Sequence, residues 1–478
     1  MKKSLVANAT LNMIRTILGI IFPLITFPYI SRVLGVTNIG KINFASSIVS
    51  YFSLIGAFGV ANYAIREGAR VRDKKEEFQN ISNEMFSINI VTMIIAYTLL
   101  IVMMFISRTL RNYSLLIAIQ SAAIFFTTIG TDWINSIYED FLYITIRQVL
   151  VQLCCLIMMF VFVHTPKDYY LYAAISVFSS VGANICNFFY CKRYVKLRFV
   201  FTSSLKRHIP SMMMFFLSNL TTTIFLNSDQ TMLGIICGDY NVGLYSVSVK
   251  IYTIMKSFFT AILTVLMPRM IYMLSNSDSI SIQKFEQKVV LVYTSLVFPL
   301  ATGLFVLSDS AILIVGGENY MGAVPSLQIL SVSLLCSAMA YFLTCVVIIP
   351  RNKEKIMMSA SATSAVANVV LNLFFIKFLS ESGAAITTAI SEIIVFIIEY
   401  VGGKKNIFAS HMFRHFLNII IGCFCIVGVK YIVRLFIPNI IISAIIIIPV
   451  SIIVYLLALI ICKDETIKIA IDFIRKRN

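Results

Sequence analysis

The sequence carries little charge: Asp, Glu, Lys and Arg make up 13% of its 478 residues. A soluble chain of this length must cover its surface with polar groups, and this one has too few. It has no glycine-rich, phosphate-cradling loop, which argues against ATP hydrolysis by the chain itself. Energy must then come from an ion gradient, a substrate gradient or a partner. The ten cysteines lack metal-ligand spacing. Cys154 and Cys155 are adjacent, and Cys423 and Cys425 sit in an apolar run, so they read as small hydrophobes. His411 and His415 have the i, i+4 spacing of zinc ligands, but no Glu stands beside them in that interfacial segment. No metal and no cofactor is expected. No loop is long enough for a separate soluble domain; the longest on one side are Ile65–Glu84 and Cys191–His208.

What the chain has in abundance is apolar length. Its hydrophobic fraction is 59% and its mean hydropathy is +0.89. Continuous runs such as Ile88–Ile106, Leu150–Val163 and Ile440–Cys462 suit membrane-crossing helices. In lipid only helices or closed barrels satisfy every backbone group, and runs of this kind favour helices. The expected fold is all-α: a polytopic membrane protein of about fourteen transmembrane helices. The spans are placed at 10–30, 43–63, 85–106, 115–134, 144–163, 170–190, 209–235, 244–268, 288–307, 326–349, 357–376, 385–402, 416–435 and 440–462. Met1-Lys2-Lys3-Ser4 resembles a signal-peptide start, but no small-residue cleavage site follows, so the first span is read as uncleaved.

The net charge is +17. The basic residues fall in short clusters between apolar runs, which signals topology rather than nucleic acid. Of the 39 Lys and Arg, 28 fall in or toward segments assigned to the cytoplasm, 8 in or toward segments assigned outside, and Arg15, Lys250 and Lys256 are counted as within spans. This places both termini on the cytoplasmic side of the membrane. The basic tail after Lys463 carries Ile467, Ile471 and Ile474 on one helical face, suited to an anionic leaflet.

A weak repeat divides the chain. Leu34-Gly35 through Gly40 is echoed by Leu233-Gly234 through Gly243, about 200 residues later. The expected organisation is a six-helix lobe over 1–208, a second over 209–415, two appended helices over 416–462 and a cytoplasmic tail over 463–478. Paired repeats around a midplane site are a recurrent transporter plan.

A charge at the bilayer centre costs roughly 2.5–3.5 kcal/mol on insertion scales, so each one needs a reason. Lys256 lies mid-span with no partner in its own hairpin, which points to a water-filled cavity. Lys250 and Asp229 flank the same turn at similar depth, and either pair with each other or bind a ligand. Asn8, Asn12 and Arg15 share one face of the first helix, and Arg15 either points into the bundle or snorkels to the surface. Pro23 and Pro28 further along that helix favour a bend. Glu392 and Glu399 share a face of the twelfth span, as ion sites or as partners of a lysine. Asn368 and Asn372 read as interhelical hydrogen-bonding groups.

Several stretches together resemble a known family. They are Ser31-Arg32-Val33-Leu34-Gly35, Asn62-Tyr63-Ala64-Ile65-Arg66-Glu67, Asp229-Gln230-Thr231-Met232-Leu233-Gly234, Val242-Gly243-Leu244-Tyr245-Ser246 and Gly383-Ala384-Ala385-Ile386-Thr387-Thr388. They look like the Wzx-type polysaccharide-unit flippases of the multidrug/oligosaccharidyl-lipid/polysaccharide exporter superfamily, over nearly the whole chain. The resemblance implies two six-helix lobes about a central cavity. It also implies transfer of undecaprenyl-diphosphate-linked oligosaccharide, for O-antigen, capsule or exopolysaccharide, from the cytoplasmic to the periplasmic leaflet, beside a polysaccharide polymerase and chain-length proteins. Arg15, Lys250 and Lys256 would meet the diphosphate headgroup, and Asp229 or Glu392 would couple transport to protons or sodium. The rivals are a cation-coupled multidrug exporter or a lipid II flippase of the same fold. An enzyme such as a glycan polymerase is disfavoured, because the longest outside segment, Ser308–Pro325, has no basic residue.

Overall fold

The fold is given by a computed structural model that describes residues 5–403 and 412–469, with side chains from Phe22 onward except Ser203. The side chains of Asn8, Asn12, Arg15, His411, Ile471 and Ile474 therefore lie outside the description. Among the described residues every regular element is helical. The first unit, Met1–Gly243, holds α1 (Leu5–Ala57), α2 (Val60–Val71), α3 (Lys75–Ile106), α4 (Arg108–Asn112) and α5 (Ser114–Gly130). It continues with α6 (Asp132–Ile137), α7 (Phe141–Phe162), α8 (Tyr169–Val181), α9 (Ala183–Tyr190) and α10 (Ile209–Ile236). Next comes α11 (Asp239–Asn276), most of which belongs to the second unit, Leu244–Asn478. That unit adds α12 (Ser279–Val306), α13 (Ser308–Val315), α14 (Val324–Phe342), α15 (Glu354–Gly402), α16 (Met412–Phe436) and α17 (Ile440–Ile461).

Eleven of the described helical stretches are long and apolar enough to cross a membrane. Two of them are double. Gly35, at φ 76°, breaks α1 into two legs, and Ser380, at φ 49°, does the same to α15. With the shorter apolar α5, the fold accommodates the expected count of about fourteen. Large apolar side chains stand exposed along these helices, for example Phe105, Ile106, Phe378 and Phe424. A lipid solvent makes that arrangement stable where water would not. Cys155, Cys191 and Cys345 are buried in the manner expected of small hydrophobes, whereas Cys154 and Cys186 are exposed.

Helix counting puts the join between halves at residue 208, but packing carries the first unit on to Gly243, because α10 lies along α1. Glycine makes this approach possible. A Cβ on Gly40 would stand 1.8 Å from the Asp239 carbonyl oxygen, and one on Gly243 would stand 2.1 Å from that of Val36. A Cβ on Gly234 would strike the Phe44 ring. The two glycine turns of the sequence repeat are thus packed backbone to backbone.

Polar networks tie distant segments within each unit. In the first, Glu84 accepts from Ser204 Oγ at 2.5 Å and from the Arg207 guanidinium at 2.9 Å, and lies 2.8 Å from His208 Nε2. His208 Nδ1 lies 2.7 Å from the Tyr63 hydroxyl. In the second, α14 runs into a π-helical segment, Leu343–Ile348, and then a 3₁₀ turn, Ile349–Arg351. Arg351 donates to the Val346 and Val347 carbonyl oxygens at 3.3 and 3.2 Å and pairs with the buried Glu286. A π segment disturbs the regular ladder, and this guanidinium serves carbonyls at its end.

Candidate functional site

The second unit holds a buried polar seam between α11 and α15. Tyr245, Tyr252 and Lys256 follow i, i+7, i+11 spacing and so share one face of α11. Thr388, Glu392 and Glu399 line a matching face of α15. The Tyr245 and Thr388 hydroxyls lie 3.0 Å apart. Tyr252 donates to Glu392 Oε1 at 3.0 Å, and Lys256 Nζ donates to the same oxygen at 2.5 Å. Lys256 also stands over the Tyr252 ring, 5.7 Å from its centroid. Next along α15, both carboxylate oxygens of the buried Glu399 accept from Thr344 Oγ1, at 2.9 and 3.0 Å.

This geometry gives Lys256 a partner. Its partner is not in its own hairpin but on α15, some 136 residues away in the chain. Glu392 therefore takes the lysine-pair role rather than standing alone. The pair is not sealed: the Lys256 side chain keeps 32% of its surface exposed, against 5% for Glu392.

Lys250 behaves differently. It sits roughly 140° around α11 from the seam at 100° per residue. It is half-buried, and within its own unit it makes no hydrogen bond or ion pair with a described residue. Asp229 is buried on α10 and belongs to the first unit. Asn372 donates to Asn368 at 3.1 Å, and Thr387 donates to Asn372 at 2.5 Å, joining the two legs of α15 as interhelical bonding requires. Arg15 lies outside the described side chains.

The comparisons with known proteins bear on this arrangement. A family model described as polysaccharide biosynthesis protein matches residues 5–274. The chain belongs to that family. It is similar to a protein of Escherichia coli (strain K12) named "Putative O-antigen transporter", 21% identical over 386 residues that cover 78% of this chain and 91% of that one. Its fold resembles that of the lipid II flippase MurJ in an inward closed conformation, with TM-score 0.72, 14% identity, and 95% and 98% of the two chains covered. It also resembles an inward-facing multidrug resistance MATE family transporter of the MOP superfamily, with TM-score 0.53, 12% identity, and 78% and 94% covered. At these identities the structural likenesses are of fold. The chain is a multi-pass membrane protein of the polysaccharide biosynthesis family.

Sequence reasoning missed three buried polar sites. Thr344 is one, because its role depends on the π segment that turns it toward Glu399. The Glu84–His208–Tyr63 network is another; its members are 124 and 145 residues apart. The third is Arg147, counted from the sequence among the cytoplasmic-side charges. It lies inside α7, 7% exposed, and donates to Asp132 at 2.8 Å. None of these carries a local spacing signal.

Proposed function

We propose that this protein is a flippase, which carries an undecaprenyl-diphosphate-linked oligosaccharide repeat unit from the cytoplasmic to the periplasmic leaflet of a bacterial inner membrane, with both termini in the cytoplasm. The observation that carries this reading is Lys250. A cation half-buried on a membrane-length helix, with no counterion among the described residues of its own unit, calls for an anion supplied from elsewhere. A diphosphate headgroup has that chemistry, and lysine meets it as a point charge. The family match and the name of the E. coli relative support the same class of cargo.

In this reading Lys250 meets the headgroup first, with Arg15 as a second cation. Lys256 is held by Glu392 until the carboxylate is neutralised by a proton or screened by sodium. The freed ammonium then joins the headgroup, which couples cargo binding to the ion. Asp229 is the alternative coupling group. Release outside returns Lys256 to Glu392, and the cycle is one of alternating access. The product on the outer leaflet is the form that a polysaccharide polymerase and chain-length proteins would use.

The test is a deletion strain with the linked biosynthetic genes intact, complemented with wild type or Lys250→Gln. Lipid-linked units should accumulate on the cytoplasmic face without the gene, and again with Lys250→Gln at normal protein level. Full polymer export by the Lys250→Gln protein removes the headgroup assignment. Rescue of a lipid II flippase-depleted strain, or robust gradient-driven ethidium export, replaces the proposed cargo.

A further inference from the structure

A second cationic site lies away from α11, where the start of α16 meets the turn after α17. A cavity of about 110 Å³ opens there, lined by Arg414, His415, Asn418, Lys463, Glu465 and Lys468, with Asp464 at its base. Arg414, Lys463 and Lys468 make no ion pair with a described residue. Three positive groups thus converge on one opening with no ion-pair partner among the described residues.

The floor of the cavity is rigid. Asp464 is 2% exposed. Its carboxylate accepts from Asn418 Nδ2 at 2.9 Å, from the Thr466 amide at 3.0 Å and from Thr466 Oγ1 at 2.7 Å. His415 Nδ1 lies 2.9 Å from the same carboxylate, and His415 Nε2 lies 2.9 Å from Thr294 Oγ1. Asp464 is therefore spent inside the protein, and Glu465 is left as the acid at the rim. Lys463, at φ 55°, closes α17 as a left-handed C-cap, the Lys463 amide donating to the Ile460 carbonyl and the Asp464 amide to that of Leu459, both at 3.0 Å.

The surroundings point to the kind of anion. Beside the cavity α16 and α17 turn large apolar side chains outward, among them Phe413, Leu417, Ile460 and Ile461. An anion lodged here would sit at the end of two lipid-facing helices, where a headgroup can enter the cavity while its chains stay in the bilayer. Basic pockets between membrane helices suit phosphate headgroups for this reason. We infer that the cavity between α16 and the turn after α17 binds the phosphate headgroup of an anionic phospholipid.

Spin-labelled phosphatidylglycerol and phosphatidylcholine, with full-length protein in phosphatidylcholine bilayers, test this directly. The wild type should immobilise phosphatidylglycerol selectively. Arg414→Gln/Lys468→Gln should lose that selectivity roughly tenfold, with an unchanged thermal transition. Lys284→Gln/Lys288→Gln, which removes the same charge from exposed positions on α12, should keep it. Equal retention of both lipids by the wild type overturns the site. So does an equal loss in the Lys284/Lys288 control, which would mean diffuse attraction. Displacement of phosphatidylglycerol by millimolar inorganic phosphate would assign the cavity to a small soluble anion instead, and would overturn the lipid reading.

Discussion

Lys256 Nζ on α11 lies 2.5 Å from Oε1 of Glu392 on α15, and the two residues differ sharply in exposure. The carboxylate is buried and the ammonium is partly open. Removing the lysine strands the acid, whereas removing the acid leaves a cation that can still be solvated. Lys256→Met should therefore destabilise the protein by about 3 kcal/mol and Glu392→Leu by less, while the double variant Lys256→Met/Glu392→Leu recovers most of the loss caused by Lys256→Met. Thermal unfolding of the two single variants and the double variant measures the coupling. Additive effects would mean that the pair contributes nothing.

Lys250 should separate function from stability. With no counterion among the described residues of its own unit, its removal breaks no ion pair there. Lys250→Gln should leave the unfolding transition within about 0.5 kcal/mol of wild type and lower transport at least tenfold. A variant that unfolds early while transporting normally would reverse the argument.

Gly40 and Gly243 hold the two repeat turns together by having no side chain. Gly40→Ala places a methyl group on the Asp239 carbonyl, and Gly243→Ala places one on that of Val36. Neither neighbour is the end of a flexible side chain, so backbone must shift. Each substitution should cost about 2–3 kcal/mol. Gly303→Ala, with nothing within 4 Å of the added carbon, should be nearly silent in the same assay.

Ser380 tests the break in α15. At φ 49° and ψ −127° it occupies a region that glycine reaches without strain. Ser380→Gly should stabilise the protein by about 1 kcal/mol. A lower transition temperature would show that the serine hydroxyl matters more than the backbone.

Two carboxylates outside the spans predict the acid limit of stability. Burial alone would raise the acid range of Asp309. Arg434, donating at 2.6 Å, with Lys430 and the Ser310 amide, outweighs burial and holds it below the usual range. Burial likewise opposes the donors around Asp464, which prevail. A lowered folded value means that the stabilisation is complete above the unfolded pKa of about 3.9 and is lost as pH falls through the folded value. The advantage of wild type over Asp309→Asn should hold from pH 7 to about pH 5 and shrink below pH 4. An advantage independent of pH would sink the assignment.

The membrane class, the helix count and the intramembrane positions of Lys250, Lys256 and Glu392 were legible in the sequence. Apolar length sets what can cross a bilayer, and a charge inside such a run is visible by position alone. The glycine repeat was legible as a pattern, but not as a contact. Side-chain partners were not legible. Lys256 reads as unpaired because its own hairpin offers no acid at its depth, and Arg147 reads as a charge near the cytoplasmic end of its span because its partner, Asp132, lies 15 residues away.

Hydrophobic periodicity and the cost of burying backbone in lipid act locally, so the sequence alone determined a helical, multi-pass fold. Ion pairing acts through space over a few ångströms. Which cation is neutralised and which remains open therefore depended on how α11 lies against α15, and only the tertiary structure decided it.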